Sequence, residues 1–212
     1  MEYQEWKKKI LVACIVVTSI VGYIGGLGQK EEVVVAGVQK GIAEEILRFH
    51  VIANSDSDED QALKMKVKEE VVSYVSELTK TEPNVEQAEY VICLYQDEIQ
   101  KKAESVIKRE GYDYSVTVEL TDSYFPVKTY GEAVFPEGMY RALKIKIGSA
   151  EGKNWWCVLY PNLCFVDSAY GVLEEEQKEK LKTVLTEEEY ESIFQVPSKD
   201  IKVSFKLFSL LE

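Results

Sequence analysis

A chain of 212 residues that is 46% hydrophobic and carries 13 tyrosines can fill one sizeable core; with residues 1–30 set aside, the rest fits one compact domain better than two. The formal net charge of -12 argues against nonspecific nucleic-acid binding, because a phosphate backbone demands clustered cations. No Gly-Ser linker, low-complexity tract or internal repeat divides the chain.

Lys7, Lys8 and Lys9 stand before an uncharged run of about 15 residues, Ile10 to Ile24, the layout of a basic n-region and an apolar h-region. A membrane-crossing helix needs about 20 apolar residues. Extension through Gly25, Gly26, Leu27 and Gly28 approaches that length, so a cleaved signal peptide and a retained anchor both fit residues 1–30. Gly26-Leu27-Gly28 offers a small-x-small cleavage site that would leave Gln29 as the new N-terminus. Three leading lysines hold that end in the cytoplasm and direct the rest outward. Leu11-Val12-Ala13-Cys14 has the look of a lipoprotein signal, but Cys14 lies near the start of the apolar run, where a lipobox would be near its end. A buried N-terminal helix of a cytosolic protein is the plainer alternative; the triple lysine and the polar Gln29-Lys30-Glu31-Glu32 speak against it. The expectation is an exported domain over residues 31–212.

Ile42 to Leu47 is expected to lead into a strand, Arg48 to Ala53, rich in β-formers. Asn54-Ser55-Asp56 breaks it, and Ser57 with Asp60 three positions on resembles a capping box. Leu63, Val67, Val71, Tyr74 or Val75, and Leu78 then recur at helical spacing, with Lys64 and Lys68 among the residues assigned to the surface. Thr81-Glu82-Pro83-Asn84 ends this helix. One second helix is expected from about Val85 to Arg109, on a stripe of Ala88, Ile92, Tyr95, Ile99, Ala103 and Val106, with Cys93 a packed thiol beside it and Gly111 as the stop.

Strand signals follow. Tyr114, Val116, Val118 and Leu120 alternate with polar residues; Asp122-Ser123 can turn the chain into an extended run from Phe125 to Phe135; Pro136-Glu137-Gly138 turns it again into Met139 to Ile147. Short turns between three strands suggest an antiparallel meander, with a further strand over Asn154 to Tyr160. Two short helices, Glu174 to Leu185 and Thr186 to Phe194, precede a last strand carrying Ile201, Val203, Phe205 and Leu207. The expected class is α+β, a mainly antiparallel sheet with two long helices packed on it and short C-terminal helices.

Cys157 and Cys164 bracket Tyr160-Pro161-Asn162-Leu163, a sequence suited to a β-turn. If that turn closes a hairpin, the two sulfurs share a face at the edge of disulfide reach. A disulfide and two buried thiols both fit. Trp155 and Trp156 point to opposite sides of a strand, so core packing suits one and the other needs a helix, a loop or a partner.

Catalytic chemistry is poorly supplied. His50 is the one histidine, and Ser55 and Asp56 follow too closely along the chain to converge on it. No G-x-S-x-G and no Cys-His signature occur. One His with scattered Cys does not make a zinc site. Asn54, Asp56, Asp58 and Asp60 resemble part of a calcium loop, yet its sixth position is Glu59 where glycine is needed. No Gly-rich phosphate cradle is present. No catalytic residue, metal or cofactor is expected.

Three stretches together resemble the stage II sporulation protein R family of endospore-forming Firmicutes. The first is Leu47-Arg48-Phe49-His50-Val51-Ile52-Ala53-Asn54-Ser55-Asp56, continuing to Asp60-Gln61-Ala62-Leu63-Lys64. The second is Phe125-Pro126-Val127-Lys128-Thr129-Tyr130-Gly131 with Phe135-Pro136-Glu137-Gly138-Met139-Tyr140-Arg141-Ala142-Leu143. The third is Gly152-Lys153-Asn154-Trp155-Trp156-Cys157-Val158-Leu159-Tyr160-Pro161-Asn162-Leu163-Cys164-Phe165-Val166-Asp167. The resemblance implies an exported signal. Such proteins are made in the forespore and sent into the space between the two sporulation membranes. There they trigger a membrane-embedded aspartic protease of the mother cell, which removes the pro-sequence of sigma E. The protein is then an activator and the protease supplies the catalytic carboxylates. An exported hydrolase using His50, or a structural protein of the intermembrane space, are the alternatives. Candidate contacts for the partner are His50, Asn54, Asp56 and Asp60 around the strand-to-helix turn, and Trp155 or Trp156. Each is polar or bulky where the fold does not plainly need it, although Asp56 or Ser57 can cap the helix and Asn54 can hold the turn.

Overall fold

The computed structural model describes residues 37–165 and 172–194. The leader expected at residues 1–30 and the strand expected at Ile201–Leu207 lie outside the described residues. The chain runs through α1 (37–45), β1 (Leu47–Ile52), α2 (Asp58–Thr79), α3 (Val85–Leu94), α4 (Gln96–Arg109), β2 (Val116–Phe125), β3 (Lys128–Tyr130), β4 (Ala133–Phe135), β5 (Gly138–Ile147), β6 (Asn154–Tyr160), α5 (Glu175–Val184) and α6 (Glu187–Phe194). This is an α+β fold with a mixed sheet and, among the described residues, six helices.

The main sheet has the order β2-β5-β1-β6. β1 runs parallel to β5 and antiparallel to β6, while β2 and β5 are antiparallel. The expected meander is therefore corrected: β1 lies between β5 and β6. The reason is its burial. Leu47 to Val51 are buried on both faces, so the strand needs neighbours on both edges and cover on both sides.

Four further expectations change. Residues 37–45 are helical, and Ile42 and Ile46, four apart, fall on one buried side of that turn of chain rather than leading a strand. The second long helix is two helices. Tyr95, at φ -101° and ψ 17°, redirects the axis while its N–H still bonds to the Val91 carbonyl and its carbonyl accepts from the Ile99 N–H. Ala88 and Ile92 on α3, and Ile99, Ala103 and Val106 on α4, thus all reach the core, whereas Tyr95 is partly exposed and Cys93 is exposed rather than packed. Asp122 and Ser123 do not turn the chain. They stay in β2, paired with Arg141 and Tyr140, and the Arg141 Nη1 stands 3.7 Å from Asp122 Oδ1. The run from Phe125 to Phe135 folds back on itself as the separate β3–β4 hairpin, turning at Gly131, whose φ of 58° suits glycine.

The helix ends follow the sequence. Ser57 Oγ accepts from the Asp60 N–H at 3.2 Å at the start of α2, and Asn84 Oδ1 accepts from the Gln87 N–H at 2.9 Å at the start of α3. Gly111, at φ 84°, closes α4. Thr186 and Glu189 cap α6 reciprocally.

One face of the sheet carries Phe49, Val51, Val118, Leu143, Ile145 and Cys157 against α2, α3 and α4. The opposite face carries Arg48, His50, Glu119, Phe125, Tyr140, Lys144, Lys146 and Trp156. Part of it lies beneath the β3–β4 hairpin, which α5 and α6 back.

Candidate functional site

The stretch from Arg48 to Asp60 joins the centre of the sheet to the start of α2. The turn after β1 is bound to the loop between β5 and β6. The Asn54 side-chain oxygen accepts from the Ser149 N–H at 3.0 Å, and its backbone carbonyl accepts from Ser149 Oγ at 2.8 Å. Asp56 Oδ1 accepts from the Lys153 N–H at 2.7 Å. The loop needs its glycines. A Cβ on Gly152 would sit 2.2 Å from the Ser55 carbonyl oxygen, and one on Gly148 would sit 2.2 Å from Asn54 Oδ1.

Asp60 is the hub of this junction. Buried in the first turn of α2, its Oδ2 accepts from Asn54 Nδ2 at 2.8 Å and from Ser55 Oγ at 2.6 Å. Burial pushes its carboxyl up, but hydrogen bonds from Ser55, Asn54 and Tyr114 outweigh that and hold it below the ordinary carboxylate value. Lys64 and Lys68, expected at the surface, are buried. Lys64 Nζ donates to Gln61 Oε1 at 2.6 Å and to the Lys153 carbonyl at 3.1 Å. Lys68 Nζ lies 4.9 Å from the centre of the Trp155 ring. Long stems let both lysines lie along apolar surface while their ammonium groups find partners.

His50 is buried on the other side of β1. Its ring stacks on Trp156, centroids 4.7 Å apart and planes 5° apart, with Phe125 edge-on at 5.3 Å. Nδ1 lies 3.2 Å from Asn154 Oδ1, and Nε2 has no partner. Burial lowers its pKa to about 4, and Lys144 adds to the effect. At neutral pH the ring is uncharged, paired through Nδ1 with Asn154 and unpaired at Nε2. Ser55 and Asp56, which a hydrolase would need beside it, are bonded to Asp60 and Lys153. His50 hydrogen-bonds to no nucleophile, so the geometry offers it no proton to move.

The two tryptophans point to opposite faces and both are half-buried. Trp155 meets Phe49 edge-on at 6.3 Å, and Trp156 also lies 6.0 Å from Lys128 Nζ. Cys157 and Cys164 have Cα atoms 5.1 Å apart and sulfurs at bonding distance. Among the described residues no hairpin closes there: β6 ends at Tyr160, the Tyr160-Pro161 peptide is cis, and residues 161–165 are turn and coil.

Arg48 is the residue the sequence reading passed over. It is fully buried, and among the described residues no carboxylate lies beside it. Its guanidinium carbon lies 4.5 Å from the Phe125 ring centre, 5.1 Å from Tyr140, 5.6 Å from Phe135 and 5.7 Å from Tyr130. Nη2 reaches Tyr130 Oη at 3.4 Å, the long limit for a hydrogen bond, and Nε and Nη1 have no acceptor. The available signal was an arginine inside an otherwise apolar strand, two residues before the single histidine.

The Spore_II_R family model, described as stage II sporulation protein R, matches residues 43–170. Stage II sporulation protein R of Bacillus subtilis (strain 168) is 35% identical over 175 residues, covering 82% of this chain and 78% of the relative. No solved structure matches the chain. The matched span takes in Arg48, His50, the Asp60 junction, both tryptophans and the paired cysteines, and the chain belongs to the stage II sporulation protein R family.

Proposed function

We propose that this sporulation protein is an exported signal: it crosses the forespore membrane and activates the membrane-embedded aspartic protease that processes pro-sigma E in the mother cell. The observation that carries the reading is the relationship to stage II sporulation protein R. Three features support it. The Lys7-Lys8-Lys9 patch and the apolar Ile10–Ile24 run suit export. The Cys157–Cys164 pair suits a disulfide in an oxidising compartment. His50 is locked, neutral, between aromatic rings, which suits an activator better than a hydrolase.

Of the six candidate contacts, Asn54, Asp56 and Asp60 hold the turn together and act on a partner by fixing the shape of that junction. Trp155 and Trp156 are half-buried and so able to touch it directly. Activation requires that the domain bind the active arrangement of the protease more tightly than the inactive one. Reconstitution of the protease, its pro-sigma substrate and the full chain in one membrane tests this. Faster cleavage on addition of the chain is the expected result; an unchanged rate with a folded chain rejects it.

A further inference from the structure

Arg48 and His50 leave three buried nitrogens bare on one side of β1. A buried guanidinium without an anion is strongly unfavourable, and an apolar side chain would fill the same space without that penalty. The aromatic rings offset part of the cost but offer no acceptor to Nε and Nη1. The packing of the core gives no reason for a charge here.

The cover over Arg48 includes a small ribbon separate from the main sheet. The β3–β4 hairpin has three residues per strand and no backbone ladder to the main sheet, and the Tyr130 hydroxyl donates to the Trp156 carbonyl of β6 at 3.3 Å. A two-stranded ribbon of that size is marginal by itself. Pro126 and Pro136, at its two bases, have no N–H to knit it to its neighbours. It supplies Tyr130 and Phe135, two of the four rings around the guanidinium. From outside it is tied by Glu132, which pairs with Lys178 at 2.7 Å and accepts from the Leu173 N–H at 3.1 Å. The surrounding face is cationic although the chain as a whole is acidic. Lys128 lies over Trp156, and Lys144 and Lys146 share Glu119.

We propose that Arg48 receives a carboxylate from an acidic segment of a partner polypeptide, which enters as the β3–β4 hairpin lifts, with Trp156 and Lys128 at the rim. A guanidinium matches a carboxylate in charge and planar geometry, and the dry surroundings strengthen the pair. Steering by Lys128, Lys144 and Lys146 favours an acidic segment over a basic one. The inference rests on the function proposed above only for the identity of the partner.

The test uses the full chain in lipid nanodiscs as wild type, Arg48→Met and Arg48→Lys. The probe is a short peptide bearing a central Asp-Glu pair, with its Asn-Gln counterpart as control. The acidic peptide alone is expected to bind wild type and to speed hydrogen exchange over residues 126–137. Arg48→Met is expected to unfold at the same temperature as wild type or higher, yet to lose at least tenfold in peptide affinity; Arg48→Lys, which keeps the charge, is expected to retain part of it. Acid-selective binding absent at millimolar peptide, binding undiminished in Arg48→Met, or equal loss in both variants would each overturn the site. The peptide measurement needs no protease, so a wild-type chain that fails to stimulate cleavage counts against the proposed function and not against this site.

Discussion

Phe49 and His50 are neighbours on one strand and face opposite sides of the sheet, and the two sides are stabilised differently. Phe49 looks into the helix-side layer, where Val, Ile and Ala side chains predominate and the Trp155 ring meets it edge-on. His50 and Arg48 look into a layer of rings, lysines and one short hairpin, where polar nitrogens are buried without partners. The first face supplies stability through area removed from water. The second gives up some of that stability to keep a cation and an uncharged imidazole out of solvent. Such a sacrifice in one layer, beside an ordinary core in the next, marks where the molecule is adapted to something other than its own folding.

The contrast can be broken most severely at Phe49. Phe49→Ala leaves a cavity in the helix-side layer and is expected to lower unfolding free energy by about 3–5 kcal/mol, read from urea denaturation at pH 7. A loss below about 1 kcal/mol would show that this layer is not the main source of stability.

His50 should betray its face through pH. Its folded pKa of about 4 lies below the ordinary value of about 6.5, so the folded state excludes a proton that the unfolded chain binds. Its contribution is complete above pH of about 6.5 and is lost as pH falls toward 4, a change on the order of 3 kcal/mol. Lys144 and Lys146 oppose the imidazolium, while Glu119 and the hydrogen bond to Asn154 favour it. Denaturation midpoints at several pH values, for wild type and His50→Phe, check this; the variant should lose the dependence in that window.

Asp60 sits at the end of the sheet, where the turn after β1 enters α2. Its carboxyl is held below the ordinary value, so its contribution is present above pH of about 3.9 and disappears as pH falls through the folded value, below the His50 window. Asp60→Asn is expected to cost about 1–3 kcal/mol at pH 7 by weakening the bonds from Asn54 and Ser55, and to flatten the acid limb of the stability curve. Ser57→Ala, which removes only the cap of α2, should cost about 1 kcal/mol and leave both pH windows in place. Equal losses for the two variants would mean that Asp60 does no more than a cap does.

Much of the helical layer was readable in advance because periodicity reports it directly. The Leu63–Val67–Val71 stripe, the Ser57 cap and the Gly111 stop all lie in the elements where they were expected. The bend at Tyr95 was not readable, because neither Gly nor Pro marks it and the stripe runs straight through it. Lys64 and Lys68 were placed at the surface by charge alone, which ignores how far an aliphatic stem can extend along a core. Asn54, Asp56 and Asp60 were recognised as unusual, but the partners that tie Asn54 and Asp56 to the far loop, Ser149 and Lys153, are some 95 residues away in the chain and invisible to local reasoning.

By itself the sequence determined the local units: where helices begin, where glycine ends one, which residues alternate, and which family the chain resembles. These depend on spacing and on backbone chemistry within a few residues. Only the tertiary structure decided that β1 lies between a parallel and an antiparallel neighbour, and that its two faces meet different layers. With that came the enclosure of Arg48 and His50, because the burial of a charge is set by whatever arrives from distant parts of the chain. Here the arriving groups are Phe125, Tyr130, Phe135, Tyr140 and Trp156, and none of them is adjacent in sequence to the strand they cover.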